Sequence, residues 1–353
     1  MELTNSPLQR GGSAVLASGY KNKTVNPKEA DLEQFTCHLC GGKKCDSAFS
    51  AFDFDQAVEP FELLRCKQCN LTQTWPVPSP ESLDGYYSRS YYGGGVKKFS
   101  GLIEQLTVLG NRLRAKKIHD VIGEVEVSDG PVKVLDIGCG RANLLKRLKA
   151  LGCKCFGIER EEYTADEDAS GIDIHRGTLE DKKFEDSYFD AVVIWHVLEH
   201  LPEPIATLDE VARITRKGGV AVIAVPNFSS WQSKWFKSNW FHLDLPRHLF
   251  HFGVENLSDA LEKRGYVIHA VSTCSLEQNL FGFIQSLMNS FGFLGKPNSF
   301  YQLLKSHVGV RNTVKLAGWL IGAVLILPFA LLELIASCVL KKGASVVIYA
   351  RKT

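Results

Sequence analysis

Three groups of residues in this chain combine residue types and spacings that chemistry can use. The first is Cys37-His38-Leu39-Cys40 together with Cys66-Lys67-Gln68-Cys69. Two CxxC pairs, each on a tight knuckle, can present four thiolates as a tetrahedron, the geometry of a structural zinc site. A redox dithiol is the competing reading. It would open a helix in a thioredoxin-like unit, and nothing around these pairs predicts one. A closed four-ligand site serves to fold a segment of ~40 residues that is too small to hold itself together.

The second group is Val134-Leu135-Asp136-Ile137-Gly138-Cys139-Gly140, a buried strand that runs into a glycine turn opening a helix. A dinucleotide-binding turn would carry a third small residue at position 143, which is Asn. Asp136 instead stands two places before the first glycine. An acid there can orient the turn and reach the amino-acid end of S-adenosylmethionine, while the glycines let backbone approach a ligand. Glu159, at the tip of the next predicted strand, is placed to take both hydroxyls of a ribose.

The third group is rich in histidine. His196-Val197-Leu198-Glu199-His200 spells H-x-x-E-H, which is also an inverted zinc-protease pattern. That pattern needs a helix with both histidines on one face. Here Pro202 follows at once, and the run starts at the carboxyl end of a predicted strand, so the protease reading fails on context. Further on, Asn239 to Phe252 gathers His242, Asp244, Arg247, His248 and His251 among aromatic residues. Such a set can supply a base near neutral pH and an anchor for an anion, or it can be an aromatic loop with its histidines hydrogen-bonded.

The elements that must position these groups follow from periodicity. From residue 131 strands and helices alternate, the pattern of a doubly wound parallel sheet. Strands are expected at 132–137, 153–158, 172–175, 188–194, 219–225 and 266–273, with a last strand at 345–350. Helices are expected at 142–151, 203–215 and 255–264. Upstream, apolar residues at helical spacing between 99 and 125 predict a helix docked on this core. Trp75-Pro76-Val77-Pro78-Ser79-Pro80 is a stiff linker. Tyr86, Tyr87, Tyr91 and Tyr92, beside three glycines, read equally as a lid or as packing. The organisation expected is a mobile tail to residue 34, a ribbon over 35–75, and a linker, Tyr-rich segment and docking helix over 76–130. The core covers 131–275, an apolar helical insertion 276–343 and the last core strand 344–353.

In combination these motifs resemble the class I S-adenosylmethionine-dependent methyltransferases. The matching residues are VLDIGCG at 134–140, GIE at 157–159, GTLED at 177–181, the run from Phe189 to Leu201, and Gly218-Gly219 before the fifth strand. The resemblance implies a Rossmann-like seven-stranded α/β sheet with its last strand inserted between the fifth and sixth. It implies that Asp136, Gly138, Cys139 and Gly140 hold the methionine end of the cofactor, Glu159 the ribose, and Thr178 and Leu179 the adenine, with His196 on the cofactor side. The family usually has Asp in the place of Thr178 and Gly in the place of Ala142. The front half also resembles a bacterial branch with a CxxC…CxxC module ahead of this fold, close to sugar C-methyltransferases of polysaccharide and secondary-metabolite clusters. By that likeness His248 is the general base, with His242 and His251 as the other choices. At the end of the fourth strand Glu199 or His200 faces the substrate, and Arg247 is placed to pair with a phosphate or carboxylate of it. A resemblance to ubiquinone-type O-methyltransferases suggests a divalent ion at His196, Glu199 and His200, although the place of His196 is normally acidic there.

Bulk properties set limits. The 353 residues are 45% hydrophobic and 23% charged, with net charge +2 and no long basic run, so nothing marks a nucleic-acid footprint. No start of the chain reads as a secretory signal, so the ten cysteines are expected as thiols or metal ligands and the location as cytoplasmic. Leu316 to Leu340 is long and apolar, with Glu333 as its only charge. A single crossing would separate the last strand from its sheet. Pro328 can break the run into two short helices, and basic residues flank both ends (Lys305, Arg311 and Lys315; Lys341, Lys342 and Arg351). The expectation is an apolar hairpin, re-entrant or peripheral at the inner face of a membrane, or else packed on the protein itself or in a homo-dimer.

The activity expected is methyl transfer to oxygen or carbon of a small-molecule acceptor, sugar-type or lipid-linked. Two other readings are carried. An RNA methyltransferase would use the ribbon to grip RNA, but residues 35–75 are not notably basic. A non-catalytic cofactor-fold module would bind no S-adenosylmethionine, or bind it without turnover.

Overall fold

The computed structural model describes residues 32–53, 60–79, 82–83, 85–86, 102–123, 130–160, 171–291, 297–305 and 310–353. Of the expected tail to residue 34, residues 1–31 lie outside these residues, as do the tyrosines beyond Tyr86.

The core is a seven-stranded sheet. Its strands are β4 (Lys133–Ile137), β5 (Lys154–Glu159), β6 (Asp173–Arg176), β7 (Phe189–Trp195), β8 (Thr215–Pro226), β10 (Tyr266–Ser272) and β11 (Ser345–Lys352). Their order is β10-β11-β8-β7-β4-β5-β6. β4 to β8 are parallel, and β11 runs antiparallel between β8 and β10. The central strands read as near-continuous apolar runs because both faces are covered. Val192 and Ile194 are buried with Leu208, Val211 and Leu257 on one face, while Ala191 and Val193 are buried with Ile118, Leu145 and Leu148 on the other. The covering helices are α1 (Leu102–Gly123) and α2 (Asn143–Ala150) on the second face, and α4 (Pro204–Ile214) and α6 (Val254–Glu262) on the first; α3 (Leu179–Lys182) is one short turn.

The ribbon strands β1 (Cys45–Phe52), β2 (Pro60–Cys66) and β3 (Thr72–Trp75) form a second sheet, completed by a strand from the core, β9 (Phe250–His251). Thr72 faces His251 and Gln73 faces Phe250 across β3 and β9. Phe35, Leu64 and Leu71 share one continuous apolar cluster with Leu249, Phe250 and Phe252. The ribbon is therefore built onto the histidine loop.

Between β10 and β11 the chain forms α7 (Leu276–Ser290), α8 (Ser299–Lys305) and α9 (Val310–Val339), while α5 (Trp231–Phe236) packs on α7 from the loop after β8. Pro328 does not divide the apolar run. α9 passes through it unbroken, with Pro328 on the exposed face, where its ring displaces no packed neighbour. The hairpin is made instead by α7 and α9, which run antiparallel. Asn279 Nδ2 donates to Ser337 Oγ at one end, and Gly322 lies against the Met288 methyl group at the other. A second correction concerns the cysteines, since Cys274 and Cys338 form a disulfide at the root of this pair.

Candidate active site

The first part of the site is the turn after β4. Gly138, Gly140 and Ala142 all have positive φ, at 73°, 52° and 55°. A Cβ at Gly138 would run into Val197 Cγ2, so glycine is required there for space as well as conformation. Ala142, at the start of α2, adopts the same left-handed backbone at a steric cost, the physical reason glycine is usual at this place. Cys139 points back against Gly157 of β5 rather than into the crevice, and burial pushes its thiol up.

Asp136 is buried, and its Oδ1 has no hydrogen-bond partner within the protein. Burial pushes its carboxyl up to about 7, with Arg114 pulling it back and Glu159 adding to the rise. A buried acceptor left open beside a left-handed turn fits the ammonium end of S-adenosylmethionine. Glu159 turns onto the same turn, where its Oε2 accepts from the Gly140 N–H at 2.6 Å and its Oε1 from the Arg160 N–H at 3.0 Å. Thr178 caps α3. Its Oγ1 accepts from the Asp181 N–H and donates to Asp181 Oδ2, so its hydroxyl is committed locally, and Leu179 is buried in the core.

Arg114 was missed by the sequence reading. Its guanidinium lies 3.8 Å from the ring centre of Trp195, at the end of β7, and interacts with the charge of Asp136. The available signal was an arginine within the inward stripe of α1 that also holds Ala115, Ile118 and Ile122.

The second part is a cluster at the carboxyl ends of β7 and β8. His196 takes a left-handed backbone (φ 52°), with Nδ1 3.3 Å from Glu199 Oε1 and Nε2 3.4 Å from Ser345 Oγ of β11. Glu199 is 1% exposed, and its Oε2 has no hydrogen-bond partner. Burial alone would raise its carboxyl, but the hydrogen bond from His196 and the neighbouring His200 and His248 outweigh this and hold it low. His200 Nδ1 donates to the Arg247 carbonyl at 3.0 Å, and its ring meets that of His248 edge-on at 4.5 Å. Burial, with His248 adding, takes His200 down to about 4.

His248 Nδ1 donates to the His242 carbonyl at 2.9 Å. That bond fixes the tautomer and leaves the Nε2 lone pair facing Glu199 Oε1 at 4.0 Å and Asp244 Oδ2 at 3.8 Å. The other two histidines of the loop are engaged elsewhere. His242 Nε2 donates to the Gln278 carbonyl of α7, and burial lowers the ring to about 4. His251 Nε2 lies 3.1 Å from Thr74 Oγ1 of the ribbon, with burial lowering it to about 3. Arg247, expected to meet a substrate anion, is paired within the protein. Its Nε donates to both Asp244 oxygens at 3.1 and 3.2 Å and its Nη1 to the Tyr86 carbonyl, so it braces the loop instead of presenting itself to a substrate anion. The donor atoms of Glu199, His200 and His248 lie within 4.8 Å of one another.

The third part is the cysteine set. Cys37 and Cys69 sulfurs are 3.5 Å apart and Cys40 and Cys66 sulfurs 3.6 Å, all four within 4.8 Å. Tetrahedral zinc thiolate, with bonds of about 2.3 Å, needs separations of about 3.8 Å. The hydrogen bond with Cys69 draws the Cys37 thiol down to about 5.

A methyltransferase domain family matches residues 102–271. Among curated relatives, the ubiquinone biosynthesis O-methyltransferase of Nitrosomonas europaea is 28% identical over 117 residues, 31% of this chain and 48% of that protein. The enzyme of the same name from Maricaulis maris is 29% identical over 153 residues, 39% of this chain and 60% of that one. The chain thus spans about half to three-fifths of the length of these relatives. Among solved structures, a SAM-dependent methyltransferase from Archaeoglobus fulgidus superposes with a TM-score of 0.42 at 22% identity, over 69% of this chain and 94% of that one. With the family match on residues 102–271, and the strand order and glycine turn described above, residues 102–271 form a methyltransferase domain of the class I S-adenosylmethionine-dependent type.

Proposed function

We propose that this protein transfers a methyl group from S-adenosylmethionine to a hydroxyl oxygen of a small-molecule acceptor, sugar-type or lipid-linked, with His248 as the base. The observation that carries the reading is the His248 imidazole, held by the His242 carbonyl with its basic nitrogen turned toward Glu199 and Asp244. Asp136 and the 138–140 turn hold the methionine end, Arg114 neutralises charge there, and Glu159 holds the ribose once its carboxylate turns from Gly140. Bound S-adenosylmethionine supplies an electrophilic methyl group in line for displacement. The chain's own contribution is alignment and proton removal. His248 Nε2 takes the acceptor proton, and the imidazolium formed is stabilised by the two carboxylates beside it. His200 stays neutral near pH 7 and adds no competing charge.

A second reading rests on the same atoms. Glu199, His200 and His248 form a two-histidine, one-carboxylate set that suits a divalent cation, which would bind the acceptor oxygen and lower its pKa. Chelation separates the two, because the base reading expects turnover to survive a metal chelator added to enzyme whose ribbon metal is retained. Four thiolates at Cys37, Cys40, Cys66 and Cys69 fit a structural zinc, checked by metal analysis of the purified protein with an expected stoichiometry of one.

The primary test has two steps. Calorimetry is expected to show S-adenosylmethionine binding that Asp136→Asn weakens; no binding would end the proposal. Comparison of metabolite and lipid extracts with and without the gene should then reveal a pair differing by the mass of one methylene group.

A further inference from the structure

α9 is inside out for a helix in water. Ile321, Val324, Leu325, Phe329, Leu332 and Ile335 form one continuous stripe, each between 63% and 69% exposed. Glu333 and Ser337 of the same helix face inward, where Glu333 accepts from Gln232 Nε2 at 2.9 Å and Ser337 Oγ accepts from Asn279 Nδ2. Polar groups turned inward and aliphatic groups outward is the arrangement a hydrocarbon solvent selects. From Leu320 to Leu340 the stripe is about 30 Å long at a helical rise of about 1.5 Å per residue.

The rim of the stripe names the occupant. Exposed Lys341 and Lys342 end the helix, and on neighbouring α5 exposed Trp235 sits between exposed Lys234 and Lys237, stacked on Trp231 at 5.5 Å. Tryptophan and lysine bordering an apolar face match the headgroup layer of an anionic bilayer. A second copy would bring the same cations, and between residues 316 and 342 the one acid is the buried Glu333. The chain also enters and leaves the insertion at a single edge, since β10 and β11 are neighbours and Cys274–Cys338 ties the two roots together. A hairpin rooted at one edge can dip into one leaflet without separating β11 from its sheet.

We infer that α9 and the rim of α5 dock this protein on an anionic lipid bilayer, with the stripe in the acyl layer. Ser345, the first residue of β11, pairs with Pro226 at the carboxyl end of β8, the edge that carries His196 and Glu199. Docking therefore brings the catalytic edge to the lipid surface and selects an acceptor anchored in lipid. That last step rests on the methyl-transfer reading, whereas the docking does not.

The test is flotation of the full-length protein with vesicles of phosphatidylcholine containing phosphatidylglycerol. The wild type is expected to float. Leu325→Glu/Phe329→Glu/Leu332→Glu should lower partitioning by about a hundredfold or more, because three apolar side chains that would enter the acyl layer are replaced by charges. Lys341→Glu/Lys342→Glu should lower it about tenfold on anionic vesicles. S-adenosylmethionine affinity, read by calorimetry on the same samples, should stay within about twofold, so that loss of docking is distinguished from loss of fold or of cofactor binding. A wild type that does not float, flotation indifferent to the triple substitution, or a lipid-free dimer that the triple substitution dissolves would each overturn the proposal.

Discussion

At the scale of single residues, the two side chains to which the proposed reaction assigns opposite halves make separable predictions. Asp136 has its carboxyl raised to about 7 by burial, so below that pH the folded protein holds it protonated and unable to pair with an ammonium. The affinity for S-adenosylmethionine should therefore rise as pH climbs from about 6 to 8, with a limiting slope of about tenfold per unit below 7. Asp136→Asn should flatten that profile and weaken binding by about tenfold to a hundredfold, the worth of a hydrogen bond to a charged group. A profile that slopes as steeply in the variant assigns the titration elsewhere. His248→Gln keeps a polar side chain of similar reach but no basic nitrogen. Its turnover should fall by about a hundredfold to ten-thousandfold while S-adenosylmethionine affinity stays within about twofold. Unchanged turnover would remove His248 as the base.

At the scale of elements, the ribbon does more than cap the N-terminal side. Thr74 of β3 donates its hydroxyl to the His248 carbonyl at 2.8 Å, and its N–H donates to the Leu249 carbonyl at 2.9 Å. The backbone of the proposed base is thus tied to a strand paired with β2, which ends at Cys66, one of the four clustered thiols. Thr74→Val keeps the shape and deletes one hydroxyl, leaving the His248 carbonyl and His251 Nε2 without that partner. It should cost about 1–3 kcal/mol of stability and lower turnover with little change in S-adenosylmethionine affinity, measured by melting and steady-state kinetics. Equal kinetics in the variant would make the ribbon a separate appendage, as it looks from the sequence. The sheet itself was legible: alternating apolar runs and the motifs at 134–140 and 189–201 place six strands and predict β11 between the fifth and sixth. The union of β3 with β9 was not, because two residues of pairing between segments more than 170 positions apart leave no periodic trace. Arg247 shows a related limit, since a charge three residues from an acid can pair locally or present itself to a ligand, and only the fold of the loop decides.

At the scale of the whole molecule, the insertion packs directly on the histidine loop. The Cys274–Cys338 bond closes a separation of 64 residues, which in the chain-entropy account is worth about 4 kcal/mol. Reductant should lower the melting temperature of the wild type by several degrees and leave Cys338→Ala unmoved; equal shifts in both would show that the bond is not the cause. The insertion reaches the His242–His248 segment through one close approach. On α7, Gly282 faces His242 so tightly that a Cβ there would overlap Nε2 and sit 3.0 Å from Gln232 Oε1. His242 in turn gives its ring N–H to the Gln278 carbonyl of the same helix and its own carbonyl to His248. Gly282→Ala must therefore push either α7 or the His242 backbone, and the backbone sets the tautomer and aim of His248. We expect turnover to drop about tenfold or more, since sub-ångström misplacement of a reacting group is costly, while vesicle flotation and S-adenosylmethionine binding remain near wild type. A variant that keeps full turnover would show that α7 yields instead of His242, and that the insertion and His248 are mechanically independent.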